Sequence, residues 1–291
     1  MDPRFDQARS AILADDAERL EALIAAEPSL ASDRSTQAGD HPTLLQCLVL
    51  TEPPPTSLDA MIRALAARGA ELSGPFVAAA GIGNVAALRI LLDLGVDIDE
   101  PADWSALDES IYWGKESAVD LLLEKGAVIR TIRAAAALGD LEYVDSCFDG
   151  EGDLVPERAG RLGWPFGEPR PATATTDSRE IVANALVHAS AWGVATCVSQ
   201  LLDRGSPIDH IPAGFDFAGT ALHYAALRGR DEVVDLLLAR GASAAVPDAK
   251  IGRLPEHWAE HEGHFDLARK LERARSNAAG GGRPPHDSEH S

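Results

Sequence analysis

The feature that most limits what this chain can fold into is a glycine that recurs between two short apolar helical runs. Residues 219–242 read GTALHYAALRGRDEVVDLLLARGA: a polar start, a short helix-compatible run, Gly229, a second run with apolar residues at successive turns, and a closing Gly241. Aligned on the central glycine, the layout returns at Gly83, Gly114, Gly139, Gly193, Gly229 and Gly263, at separations of 31, 25, 54, 36 and 34 residues. The second run reappears as LRILLDLG (88–95), VDLLLEKGA (119–127), VSQLLDRGS (198–206) and VDLLLARGA (234–242). Leucines one turn apart make a single apolar face, and a glycine after the last turn supplies the left-handed conformation that ends a helix. Neither helix of such a pair can bury that face alone. Neighbouring pairs must stack, and an array is expected in place of one closed core.

Charge and composition narrow the function. Against 26 basic residues stand 46 acidic ones, a formal charge of −20, which repels phosphate backbones and anionic lipid heads and favours a basic or neutral protein partner. No nucleic acid and no membrane are expected among the partners. The chain lacks 18 consecutive apolar residues, and its start, MDPRFDQARS, has acids and no apolar run behind it, so neither a membrane span nor a secretory signal is expected. The three cysteines, Cys47, Cys147 and Cys197, are odd in number and widely spaced. That supports neither a disulfide framework nor a cysteine zinc site and points to a reducing, cytoplasmic location. Cys147 and Cys197 fall on the apolar stripes of second helices, which predicts buried, inert thiols. A Gly-rich phosphate loop, a GxSxG elbow and a lysine-rich strip are all absent, and no cofactor is expected.

The unit at 219–242 resembles the ankyrin repeat. That family's T-P-L-H-x-A opening is matched by Thr220, Ala221, Leu222, His223 and Ala225, with Tyr224 in the variable slot. Fragments recur as Thr43, Leu44, Leu45 and Gln46, as Ser105, Ala106, Leu107 and Asp108, and as Pro255, His257 and Ala259; residues 11–30 look like a capping repeat. The resemblance implies an all-α ankyrin-repeat solenoid of about eight stacked helix pairs with short β-hairpin fingers. It would form one array over residues 1–274, followed by a low-complexity, disordered tail at 275–291. It also gives His223 and His257 a structural role, hydrogen bonding the finger backbone. The HWAEH stretch (257–261) fits the H-x-x-E-H pattern of some zinc peptidases, but its first histidine falls on the repeat's own histidine position.

Departures from the period are informative. The 25 residues before Gly139, and the segment ELSGPFVAAAGIG before Gly83, leave too few residues for a full finger. The 54-residue gap before Gly193 holds an insertion over 149–178, rich in Gly and Pro and expected to lack regular structure; its Trp164 and Phe166 argue for a docked loop.

In an ankyrin repeat the first helices and fingers line a concave groove. The x position and the two residues before the central glycine share one helical face. Along the array they read Glu109, Tyr112, Trp113; Ala134, Ala137, Leu138; His188, Ala191, Trp192; Tyr224, Leu227, Arg228; and Trp258, His261, Glu262. With aromatics at only 5% of the chain, this face concentrates them, and the fingers add Trp104, Phe215, Asp216 and Phe217. Candidate partner-binding residues are therefore Trp104, Tyr112, Trp113, His188, Trp192, Phe215, Phe217, Tyr224, Arg228 and Trp258. Three uses stay open: packing between repeats, a partner groove, or a small-molecule pocket. Non-catalytic recognition of a protein partner is the leading expectation, as a scaffold or as an immunity or antitoxin factor plugging a cationic active site. The alternative is an enzyme or small-molecule binder using a notch walled by Trp113, His188 and Trp192 under the 149–178 loop, with Asp108, Glu109 and His188 as acid or base.

Overall fold

The computed structural model describes residues 3–35, 41–100, 104–160 and 176–280, and the chain divides into two compact units, Met1–Val128 and Ile129–Ser291. The first contains α1 (Pro3–Leu13), α2 (Ala17–Ala26), a 3₁₀ turn (Pro28–Ala31), α3 (Leu44–Val49), α4 (Leu58–Ala66), α5 (Ser73–Ile82), α6 (Val85–Asp93), α7 (Ala106–Trp113) and α8 (Glu116–Glu124). Successive odd-numbered helices pack on one another, as do successive even-numbered ones, giving two layers.

The second unit contains α9 (Ile132–Leu138), α10 (Leu141–Ser146), the single turn α11 (Pro156–Ala159), α12 (Ser178–Trp192), α13 (Ala195–Asp203), α14 (Ala221–Leu227), α15 (Asp231–Ala239), α16 (Pro255–His261) and α17 (Phe265–Gly280). Here α9, α12, α14 and α16 pack in that order as one layer, α10, α13 and α15 form the other, and α17 closes the stack against α16. Most of these helices have six to ten residues, too few to persist in water alone, so the leucine stripes hold them by stacking. Leu88, Leu91, Leu122, Leu201 and Leu237 of those stripes are all buried.

The recurring signals act locally as the sequence implies. All six central glycines have positive φ, between 64° and 81°. At Gly229 space matters as well: a Cβ there would lie 2.6 Å from the His264 ring. The repeat's opening residues are helix caps. Thr43 with Gln46 and Ser105 with Asp108 each form a reciprocal capping box, satisfying amides that the first helical turn leaves without partners, and at the third start His223 Nδ1 accepts the Thr220 N–H and hydroxyl.

Several expectations change. Among the described residues no β-strand forms; only two isolated bridges occur, Arg34 with Thr43 and Phe148 with Leu154. The segments between pairs are organised by side-chain carboxylates in place of a ladder, as described below. The connections at 67–72 and 125–131 are short, whereas 204–220 and 240–254 are long. The 149–178 insertion is not devoid of regular structure: α11 begins at Pro156, tolerated because a first-turn residue needs no intrahelical N–H bond, and α12 begins at Ser178. Trp164 and Phe166 lie outside the described residues. α17 runs past residue 274 to Gly280, and its Arg275 pairs with Glu256 at 2.9 Å. Residues 281–291 of the expected tail lie outside the described residues. No described helix is long and apolar enough to cross a membrane.

Candidate functional site

In the second unit the capping histidine sets the geometry. His223, fully buried, accepts the Thr220 N–H at Nδ1 (3.1 Å) and donates from Nε2 to the Arg253 carbonyl (3.1 Å), fastening α14 to the segment before α16. Burial pushes its pKa down to about 4, against a smaller upward pull from the Arg253 carbonyl and Asp248. Asp248, 3% exposed, accepts the backbone N–H groups of Lys250, Ile251, Gly252 and Arg253 and the Trp258 indole N–H (3.0 Å). Burial would raise its carboxyl pKa, but these donors outweigh it and hold the group below its ordinary range. One carboxylate thus shapes the whole turn and orients Trp258.

The aromatic residues form a continuous chain. Ring centroids are 5.0 Å apart for His188 and Phe215, 4.9 Å for Phe215 and Tyr224, 5.3 Å for Tyr224 and Trp258, and 6.0 Å for Trp258 and Phe217. The Tyr224 hydroxyl donates to the Phe217 carbonyl at 2.5 Å. His188, Phe215, Tyr224 and Trp258 are buried, so these four selected as partner contacts serve mainly as packing between helix pairs. The segment carrying Phe215 is tied to α12 by Glu180, which accepts the Ala213 N–H (2.8 Å) and meets His210 (2.5 Å). That tether turns Phe215, expected in a finger as a partner contact, inward.

Phe217 differs, being 46% exposed. With Ile251, 64% exposed, it borders a hollow of about 330 Å³ whose walls include Leu227, Trp258, His257 and Arg253, with His261 and Glu262 at its edge. The two segments flanking it are locked together: Ala249 N–H donates to the Ala218 carbonyl (2.8 Å), and Lys250 Nζ lies 2.9 Å from Asp216 and 4.7 Å from the Phe217 ring centroid. Leu227, Trp258, His261 and Glu262 belong to the face read from the sequence. Ile251 and Arg253 do not, although an isoleucine inside the otherwise polar turn DAKIGR is a visible signal. Trp192 and Arg228, half-buried at the ends of α12 and α14, do not line the hollow.

In the first unit α7 gathers a second group. Glu109 accepts the indole N–H of Trp104 and that of Trp113 (3.0 Å), while Tyr112 meets Trp104 and Trp113 edge-on at 5.8 and 5.1 Å. Trp104 is buried; Glu109, Tyr112 and Trp113 keep part of their surface open. Burial pushes the Glu109 carboxyl above its usual range, with Asp108 adding to the rise, although both indoles pull it down.

The three residues considered for acid or base chemistry already have structural tasks. Asp108 accepts the Ser105 hydroxyl (2.9 Å) in its capping box, Glu109 is held by the two indoles, and His188 Nδ1 donates to the Asn184 carbonyl (3.0 Å) inside α12. Asp108, Glu109 and Trp113 belong to the first unit and His188 and Trp192 to the second. Of the HWAEH pair, His257 Nδ1 accepts the Leu254 N–H (3.1 Å), the capping role expected, and His261 lies exposed. Among the described residues the only group spaced to hold a metal is the exposed Asp149, Glu151 and Asp153. Cys147 and Cys197 are buried, and burial raises both thiols to about 11.

A stack of glycine-broken, histidine-capped helix pairs defines a repeat scaffold, and residues 186–278, spanning α12 to α17, match the family model for ankyrin repeats (3 copies). Over these residues the chain is similar to ankyrin repeats, which generally serve as protein–protein interaction modules. No curated protein matches it.

Proposed function

We propose that this protein acts by non-catalytic recognition of a protein partner, whose apolar side chain enters the hollow between Phe217 and Ile251. The observation that carries this reading is the exposure of those two large apolar residues on adjoining, mutually braced segments. Exposed apolar residues grouped around a concavity mark interaction surfaces, and the bracing lowers the ordering cost of binding. The charge of −20 and Glu262 at the edge favour a basic partner, as for a scaffold or a stoichiometric inhibitor. The free cysteines suit a reducing cytoplasm, which we take as the compartment.

The test places a photo-crosslinking amino acid at Ile251 and, separately, at Leu141, which is exposed on α10. In the native host, Ile251 should give one discrete protein adduct that Phe217→Ser abolishes, and Leu141 should not give it. An identical adduct from both positions, or none from Ile251, would overturn the reading.

A further inference from the structure

We propose that the hollow beside α16 recognises an extended segment of the partner in which an acidic, a large apolar and a basic residue stand at alternate positions, the acid against Arg253 and the base against Glu262. This rests on the reading that the hollow receives an apolar side chain of a partner, and it adds which residues must flank that side chain.

The two charges are placed by the helix between them. Arg253 stands two residues before Pro255, the first residue of α16, and Glu262 directly follows His261, its last. They therefore mark opposite ends of one helix, and both border the hollow. Phe217, Ile251 and Trp258 supply the apolar surface, with Trp258 in the middle of α16. The order along the hollow is cation, apolar surface, anion. Its cationic end has a fixed backbone: the Asp248 carboxylate that accepts the Trp258 indole N–H also accepts the Arg253 N–H, each at 3.0 Å, and the Arg253 carbonyl takes the His223 bond at 3.1 Å. Lys250 at the same end is engaged by Asp216 at 2.9 Å, so Arg253 sets the sign there. The overall charge of −20 favours a basic partner, and Arg253 asks for one acid within it.

Length decides the spacing. A helix of seven residues rises about 10 Å, and the residues flanking it bring the span to about 13 Å, the reach of about four steps of extended chain. Side chains at the first, third and fifth residues of such a segment share one face. The segment can run in either direction along the hollow, so the site specifies the opposition of the two charges around the apolar residue.

The experiment follows the Ile251 methyl and Trp258 indole resonances of the full chain while blocked pentapeptides are added: acetyl-Glu-Thr-Phe-Thr-Lys-amide, and the same peptide flanked by two glutamines, two glutamates or two lysines. The Glu/Lys peptide should bind about fivefold more tightly than the glutamine one, as two exposed ion pairs allow, with the difference lost in high salt. Both like-charged peptides should bind more weakly than it, whichever way they lie. Arg253→Glu, a change confined to an exposed side chain, should make the dilysine peptide the tightest, and Phe217→Ser should abolish every response. Peptides that all bind alike, or an Arg253→Glu protein that keeps the wild-type order, would overturn the charge assignment and leave the apolar hollow standing. Responses that survive Phe217→Ser, or no shift with any peptide, would overturn it too, and the hollow falls with it only if the Ile251 crosslink also fails.

Discussion

His223 and Arg253 are joined across two helix pairs, the buried imidazole donating from Nε2 to the arginine carbonyl at 3.1 Å. The same ring accepts the Thr220 N–H at Nδ1, so both nitrogens are committed and the neutral form is the one that fits. Protonation would put a second proton where an acceptor is required.

This makes stability depend on pH in a defined window. His223 holds its pKa at about 4 when folded, against 6.5 ordinarily, so between these values the unfolded chain binds a proton that the folded one refuses. The contribution is whole above pH 6.5 and falls away as pH drops towards 4, amounting to about 3 kcal/mol in all. Urea unfolding from pH 7.5 to 4.5 should show that slope. His223→Gln, which places at this slot the residue found as Gln46 in the α3 capping box, should flatten it. An unchanged slope would refute the assignment.

Two glycines separate backbone strain from crowding. Gly229 and Gly263 have φ of 64° and 81°, but a Cβ on Gly263 meets nothing within 4 Å, whereas on Gly229 it strikes the His264 ring. Gly263→Ala should cost about 1 to 2 kcal/mol from the left-handed conformation alone. Gly229→Ala should cost measurably more by urea unfolding; equal losses would mean that the ring moves aside freely.

The buried thiols should be silent. With pKa values near 11, Cys147 and Cys197 hold about one thiolate in a thousand molecules at pH 8, and burial excludes reagent from the rest. Titration with a disulfide reagent should modify partly exposed Cys47 first, and the other two only as urea unfolds the chain. Reaction of either buried thiol at a free-thiol rate in the folded state would contradict the packing described.

How much was legible turns on range. Gly83, Gly114 and Gly229, the leucine stripes, the capping roles of Thr220 and His223, and the burial of Cys147 and Cys197 are all encoded within a few residues, where φ preference and helical period act directly. The groove-facing positions were also legible as a helical face, and Leu227, Trp258, His261 and Glu262 do meet at one hollow. Their depth was not. Phe215, Tyr224 and Trp258 are buried because the Asp248 and Glu180 carboxylates fold long connections back over them. Those contacts span up to 33 residues, and no period announces them.

The sequence by itself determined the repeating unit, since a left-handed glycine and a one-sided leucine helix leave a short chain segment little choice but to pair and stack. Only the tertiary structure decided which aromatic rings became packing and which stayed at the surface. It also placed Glu109 between the indoles of Trp104 and Trp113, because the environment of a side chain depends on the neighbours against which its own helix pair comes to rest.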